Sequence, residues 1–261
     1  MQLVLQRGTA PLASHTVTQA LVSAVQRSPL GDYPFDHVFM EEVFPQETYR
    51  ALLAAVPDRR YFRELHHRDA VRADGTSTRL RMYLYPELLR RLPPKERRAW
   101  MPIGRALCSK QVENAFKGKF QTALEQRFGK ALQQISLYPV PVLLRDQPGY
   151  RIGIHCDVPT KGITVQFFLP GDSSQRHLGT IFHEGDSGEA SERQLQMPFL
   201  PDSAYAFPVS QTSWHSASRT TERDGERTSM MLTYYVTEEL PLWLNNRLRR
   251  IGLFFGVHPK G

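Results

Sequence analysis

His155-Cys156-Asp157, Trp214-His215 and Arg227-Thr228-Ser229 follow one another in an order of residue types suited to holding a ferrous ion and an oxo-acid cosubstrate. Two imidazoles and one carboxylate on one face of a metal leave the remaining positions open to other ligands. A bidentate oxo acid would take two of them and oxygen the third. In a strand, alternate side chains share a face, so His155 and Asp157 are expected to reach inward together while Cys156 points away. A His-x-Asp step recurs by chance in a chain with nine histidines, so its setting must give it meaning.

The elements that would position these residues lie mainly in the second half. Residues 1–131 read as a helical lead-in. Apolar residues at three- and four-residue spacing mark Thr18 to Arg27 and Glu47 to Val56, and Gly104 to Phe128 reads as one longer helix. Pro93-Pro94 and Pro102 are expected to end elements. From Leu132 to Val236 the pattern changes to short apolar runs. These are Ile135 to Leu144, Tyr150 to Cys156, Ile163 to Leu169, Gly179 to His183, Ala204 to Val209 and Thr228 to Val236. Clusters such as Pro170-Gly171-Asp172-Ser173 separate them, which suits strands of a closed or sandwiched β structure. Pro148-Gly149-Tyr150 supplies a turn into the strand that delivers His155. Gly225-Glu226-Arg227-Thr228-Ser229 opens another strand, with Arg227 and Ser229 on one face. Residues 1–261 are expected to form one domain, α+β with a mainly β core.

With this order of ligands and strands, the chain resembles the Fe(II)- and 2-oxoglutarate-dependent dioxygenases. The resemblance is clearest from Tyr138 to Val236, and the stretch from Pro34-Phe35-Asp36-His37-Val38 to Val56-Pro57-Asp58 is similar to the lead-in of many members. It implies a double-stranded β-helix, a cupin-like jelly roll with flanking N-terminal helices and a C-terminal helix. It also implies that His155, Asp157 and His215 bind Fe(II) at the catalytic centre, that Arg227 pairs with the distal carboxylate of 2-oxoglutarate, and that Ser229 supports it. A planar guanidinium suits that task better than an ammonium. The implied activity consumes 2-oxoglutarate and O2, releases succinate and carbon dioxide, and hydroxylates a C–H bond. Halogenating members generally have a small residue where Asp157 stands, so hydroxylation is favoured. One departure lies in Gln166-Phe167-Phe168-Leu169, where a cosubstrate-binding tyrosine is often found; an inward-facing Gln166 would substitute for it.

Other residues read more plainly. His177 and His183 are left out of the metal set as ordinary strand-flanking histidines, and Cys156 as a small packed side chain. Arg79, Arg81, Arg145 and Arg151 are candidates to face an anionic substrate or to form ion pairs. A closed structural zinc site would normally need a fourth protein ligand.

Composition narrows the class further. Two cysteines are too few for a disulfide framework, and no apolar run suits a membrane span or an export signal. A reducing, cytoplasmic setting is expected. The net charge of +7 comes without finger-type Cys/His spacing or an aromatic RNA-binding signature, so no nucleic-acid partner is expected. In the tail, residues 237–261, Leu240, Trp243, Leu244, Leu248, Ile251, Phe254 and Phe255 share one face of a helix opposite Asn245, Asn246, Arg249 and Arg250. That helix is expected either to pack on the barrel or a second subunit, or to make peripheral contact with an anionic membrane on its cytoplasmic side. Charge and tail together point to an acidic, lipid-linked saccharide as substrate. The chain is similar in size and basic character to the bacterial Kdo hydroxylase branch, which oxidises a sugar acid of lipopolysaccharide. The competing readings are a hydroxylase of a protein side chain or free amino acid, and a non-catalytic jelly-roll metal-binding or scaffold protein.

Overall fold

The computed structural model describes residues 14–66, 68–185 and 193–236, with residues 244, 248 and 250–253 of the tail. The helical first half contains α1 (Ser14–Arg27), β1 (Val38–Glu41), α2 (Gln46–Ala54), β2 (Arg63–Glu64), β3 (Arg79–Tyr83), α3 (Pro86–Leu89), α4 (Pro94–Leu107), α5 (Lys110–Lys119) and α6 (Gln121–Phe128). The second half is β4 (Leu137–Asp146), β5 (Ile152–His155), β6 (Lys161–Phe168), β7 (Thr180–His183), β8 (Gln194–Met197), β9 (Ser203–Pro208), β10 (His215–Ala217) and β11 (Arg227–Val236).

Two features of the helical half differ from expectation. Gly104 to Phe128 is not one helix. α4 ends at Leu107, and the Ser109 hydroxyl accepts from the Val112 N–H to start α5. A side-chain acceptor at the N-cap satisfies a donor that a continuing helix would pair with backbone, so the chain restarts there. α6 follows after Phe120. Pro94 opens α4 at its first turn and Pro102 lies inside it. An interior proline costs about 3 kcal/mol. Here Trp100, Ile103, Ala106 and Leu107, all fully or nearly buried, supply compensating burial.

The strands form a seven-stranded sheet in the order β1-β9-β6-β11-β4-β3-β2 and a four-stranded sheet in the order β5-β10-β7-β8. The eight strands β4 to β11 are thus distributed between two facing sheets as a double-stranded β-helix, and β1, β3 and β2 widen the large one. All the pairings within these sheets are antiparallel. Pro139 and Pro141 of β4 lie beyond the reach of β3, whose ladder with β4 covers Val142 to Asp146. The Pro141 carbonyl accepts from the Leu84 N–H on the β3 side, so the missing N–H points away from β11, which pairs with both prolines.

The large sheet is buried on both faces, which explains its near-continuous apolar runs. Met230, Leu232 and Tyr234 of β11 and Ile163, Val165 and Phe167 of β6 join Trp100, Ile103 and Phe116 in the core beneath the helices. The alternate residues turn inward, where Phe168, Tyr205 and Phe207 meet Leu178, Phe182 and Met197 between the sheets. Gly179 is required at the entry to β7. A Cβ there would come within 1.8 Å of the Met197 carbonyl oxygen.

Within the tail, residues 250–253 are helical. Leu253 is buried with Tyr83, Tyr85 and Tyr138, and Arg250 pairs with Glu87. Leu240, Trp243, Phe254 and Phe255 lie outside the described residues. Among the described residues, no helix is long and apolar enough to cross a membrane.

Candidate metal centre and anion site

His155 ends β5 and His215 opens β10, and the two are register partners on neighbouring strands of the small sheet. Their rings lie 4.3 Å apart between centroids. Asp157 stands two residues past the end of β5, in the turn to β6. The side-chain alternation expected of a strand therefore stops at His155. Asp157 reaches the same point through that turn, while Cys156 Sγ contacts the Gln211 carbonyl oxygen at 3.2 Å. One ligand atom from each of His155, Asp157 and His215 lies within 4.8 Å of the others.

The hydrogen bonds around this group suit a metal. His155 Nδ1 is 2.9 Å from the Gly153 carbonyl oxygen and His215 Nδ1 is 3.0 Å from that of Ser213. A carbonyl only accepts, so each Nδ1 carries the proton and each Nε2 keeps its lone pair for an ion. Burial, opposed by Asp157, lowers the His215 pKa to about 4 and keeps its ring neutral. Burial alone would raise the Asp157 pKa. Lys161 and His215, with hydrogen bonds from Lys161 and Thr164, instead hold it at about 2. The three side chains thus present two neutral imidazoles and a carboxylate, a donor set that fits a ferrous ion.

Lys161 and Thr164 are site residues that the sequence reading omitted. Lys161 Nζ lies 2.5 Å from Asp157 Oδ1, and Thr164 donates to Oδ2 at 2.6 Å. Their signal was local: both follow Asp157 within seven residues, at the start of a strand whose even positions face inward.

Deeper between the sheets lies a chain of polar contacts. Gln166 Nε2 donates to Ser229 Oγ at 3.0 Å, Tyr205 donates to Gln166 Oε1 at 2.7 Å, and Thr180 donates to the Tyr205 hydroxyl at 2.9 Å. Phe168 is inward and buried at the position where the resemblance implies a tyrosine. A phenol reaches this interior instead from β9, as Tyr205, which feels the charges of both Asp157 and Arg227. Its position in Ala204-Tyr205-Ala206-Phe207, alternating small and aromatic residues, was the available clue.

Arg227 opens β11 and is 1% exposed. Its Nε and Nη2 donate to Asp146 Oδ2 at 3.1 and 2.8 Å, and its Nη1 donates to the Leu178 carbonyl oxygen. Arg79 pairs with the same carboxylate. Of the other arginines singled out, Arg145 pairs with Glu226, Arg81 lies over the Tyr83 ring with its Nε buried and without a partner, and Arg151 is exposed. His177 pairs with Asp224 and His183 with Ser216, and neither belongs to the metal group.

No family model matches the chain, and no curated protein matches it in sequence. Solved structures match it in fold. A prolyl-4-hydroxylase from Pseudomonas putida superposes with a TM-score of 0.52 at 13% identity, over 84% of this chain and 99% of that one. A prolyl hydroxylase from Trichoplax adhaerens, solved with a hypoxia-inducible factor peptide fragment, gives 0.49 at 12% identity over 85% and 90%. The carbocyclase SnoK from nogalamycin biosynthesis, described as non-haem and α-ketoglutarate-dependent, gives 0.46 at 11% over 96% and 95%. The likeness to the Pseudomonas putida structure is one of fold, a jelly-roll core flanked by helices.

Proposed function

We propose that this protein is an Fe(II)- and 2-oxoglutarate-dependent dioxygenase that hydroxylates an unactivated C–H bond. The observation that carries the reading is the tautomer set at the metal group: both Nδ1 atoms are engaged by backbone carbonyls, which leaves both Nε2 lone pairs for an ion that Asp157 would share. A scaffold protein has no need of two pre-aimed imidazoles and a buried arginine. His155, Asp157 and His215 would hold the ion. Arg227 would receive the distal carboxylate of 2-oxoglutarate with the two of its five N–H donors that oxygens of the described residues leave open. Ser229, Gln166 and Tyr205 would line the path between the two. When bound, the ferrous ion with 2-oxoglutarate and O2 supplies an oxidant strong enough to take hydrogen from such a bond. The chain's own contribution is to orient cosubstrate and acceptor and to exclude bulk water.

For the acceptor we propose an anionic saccharide, a sugar acid of the Kdo type on a lipid-linked lipopolysaccharide precursor. The net charge of +7 supports this reading. Peripheral contact with an anionic membrane on its cytoplasmic side accompanies that proposal. Anaerobic reconstitution with Fe(II) and 2-oxoglutarate, then oxygen and a succinate assay with and without Kdo-bearing precursors, tests both levels. Succinate stimulated by the saccharide, with a product heavier by one oxygen, is the expected outcome. Succinate without stimulation would overturn the saccharide and direct the search to peptides and amino acids. No succinate from iron-loaded protein would overturn the dioxygenase reading in favour of a binding role.

A further inference from the structure

Arg79, Asp146 and Arg227 form a row across three adjacent strands, because Asp146 is the register partner of Arg79 on β3 and of Arg227 on β11. Their side chains are 12%, 0% and 1% exposed. Arg79 donates through Nε to Asp146 Oδ1 at 2.5 Å and through Nη2 to Oδ2 at 2.9 Å. Arg227 takes Oδ2 as well. Two guanidiniums and one carboxylate sum to a formal charge of +1. Tyr150, itself buried, lies beneath both cations, with ring-centroid distances of 4.0 Å to Arg79 and 5.2 Å to Arg227.

Burying an ion without a counter-charge is costly, and an aromatic face offsets only part of that cost. On the inward side, Ser229, Gln166, Tyr205 and Thr180 form a chain of neutral polar groups. Within the row itself, the charge needed to reach neutrality is that of one carboxylate. If Arg227 and Asp146 stood alone they would cancel, and Arg227 would offer an anion little. Arg79 comes from β3, outside the eight-stranded β-helix, and engages both oxygens of Asp146, leaving Arg227 held in place but not neutralised.

We infer that Arg79 is a positioning residue for the anion site: by sharing Asp146 it keeps the buried row one charge positive and so makes Arg227 selective for a ligand with a distal carboxylate. This rests on the reading of Arg227 as the cosubstrate clamp. Replacing Arg79 by a neutral side chain brings the row to zero charge. Replacing Asp146 by asparagine in that background returns it to +1.

Calorimetric titration of Mn(II)-loaded protein with 2-oxoglutarate and with 2-oxopentanoate, which has a methyl group in place of the distal carboxylate, tests this without turnover. The wild type is expected to prefer 2-oxoglutarate. Arg79→Met should weaken 2-oxoglutarate by about 10-fold or more and leave 2-oxopentanoate unchanged, and adding Asp146→Asn should restore part of the loss. Should Arg79→Met fail to fold, Arg79→Gln keeps a donor to Asp146, and the same selective loss is expected of it. Equal weakening of both ligands, or none, would overturn the role of Arg79. A wild type that binds Mn(II) but shows no preference between the two acids would instead overturn the clamp reading itself.

Discussion

Thr164 donates a 2.6 Å hydrogen bond to Oδ2 of Asp157, while Lys161 holds the other oxygen at 2.5 Å. Both partners come from the start of β6, so the turn from β5 to β6 fixes the carboxylate before any ion enters. Each oxygen has a second lone pair, which leaves room for a metal. Thr164→Val, nearly isosteric, removes one support and should lower metal affinity about 10-fold, as loss of an outer partner of a ligand does. A metal titration with unchanged affinity would show that Lys161 alone suffices.

Asp157→Ala removes the only carboxylate of the group. Metal affinity should fall by about 100-fold or more, beyond the loss expected for an outer partner, and succinate formation should cease. Lys161 would then lose its ion-pair partner, so the thermal unfolding of the variant should be measured alongside. Retained turnover would displace Asp157 from the metal set.

The grouping of His155, Asp157 and His215 was legible because His155 and Asp157 stand two residues apart in one motif and His215 follows in the order of ligands and strands that the resemblance implies. The long strands β4, β6, β9 and β11 were visible for a related reason: helices cover one face and the barrel interior the other, so the apolar runs are continuous. β8, Gln194-Leu195-Gln196-Met197, and β10, His215-Ser216-Ala217, carry too little apolar pattern to reveal strands. The row of Arg79, Asp146 and Arg227 was hidden for a different cause. Its members are 67 and 81 residues apart in sequence, and only strand pairing brings them together. Asp146 at the end of an apolar strand was a visible anomaly, but nothing local names its partners.

Arg227→Ala is a test of the clamp that should leave the fold intact, because Asp146 keeps Arg79 as a bidentate partner. The concentration of 2-oxoglutarate needed for half-maximal succinate formation should rise by about 10- to 100-fold, with metal affinity within about two-fold of wild type. An unchanged cosubstrate response would move the clamp to another residue.

Asp202 predicts a pH dependence of stability. It precedes β9 with φ of 51°, and its Oδ1 accepts from the Phe44 N–H at 3.0 Å. Burial pushes its pKa up to about 7, the Phe44 N–H opposing and Glu42 adding to the effect. A carboxyl raised in the folded state binds its proton more tightly there than in the unfolded chain, whose value is about 4. Its contribution is therefore fully present below pH 4 and is lost as pH rises through 7. Asp202→Asn keeps the acceptor, tolerates positive φ and cannot ionise. Thermal unfolding should show the variant more stable than wild type at pH 8 and similar to it at pH 4 and below. Parallel curves for the two proteins would mean that the carboxyl is solvated.

The tail offers a test of packing. Leu253 is 3% exposed among Tyr83, Tyr85 and Tyr138, whereas Leu248 and Ile251 are 53% and 47% exposed. Arg250 pairs with Glu87 and lies 5.0 Å over the Tyr85 ring, fixing the approach of residues 250–253 to the sheet. Truncating a buried leucine removes its transfer energy and leaves a cavity, so Leu253→Ala should cost about 2–4 kcal/mol and lower Tm by about 5–10 °C. Leu248→Asn should change Tm little. Binding of the two variants to anionic vesicles separates the roles: if the exposed residues contact a membrane, Leu248→Asn weakens binding without loss of stability. A Leu253→Ala protein as stable as wild type would show that the tail is not anchored to the sheet through this side chain.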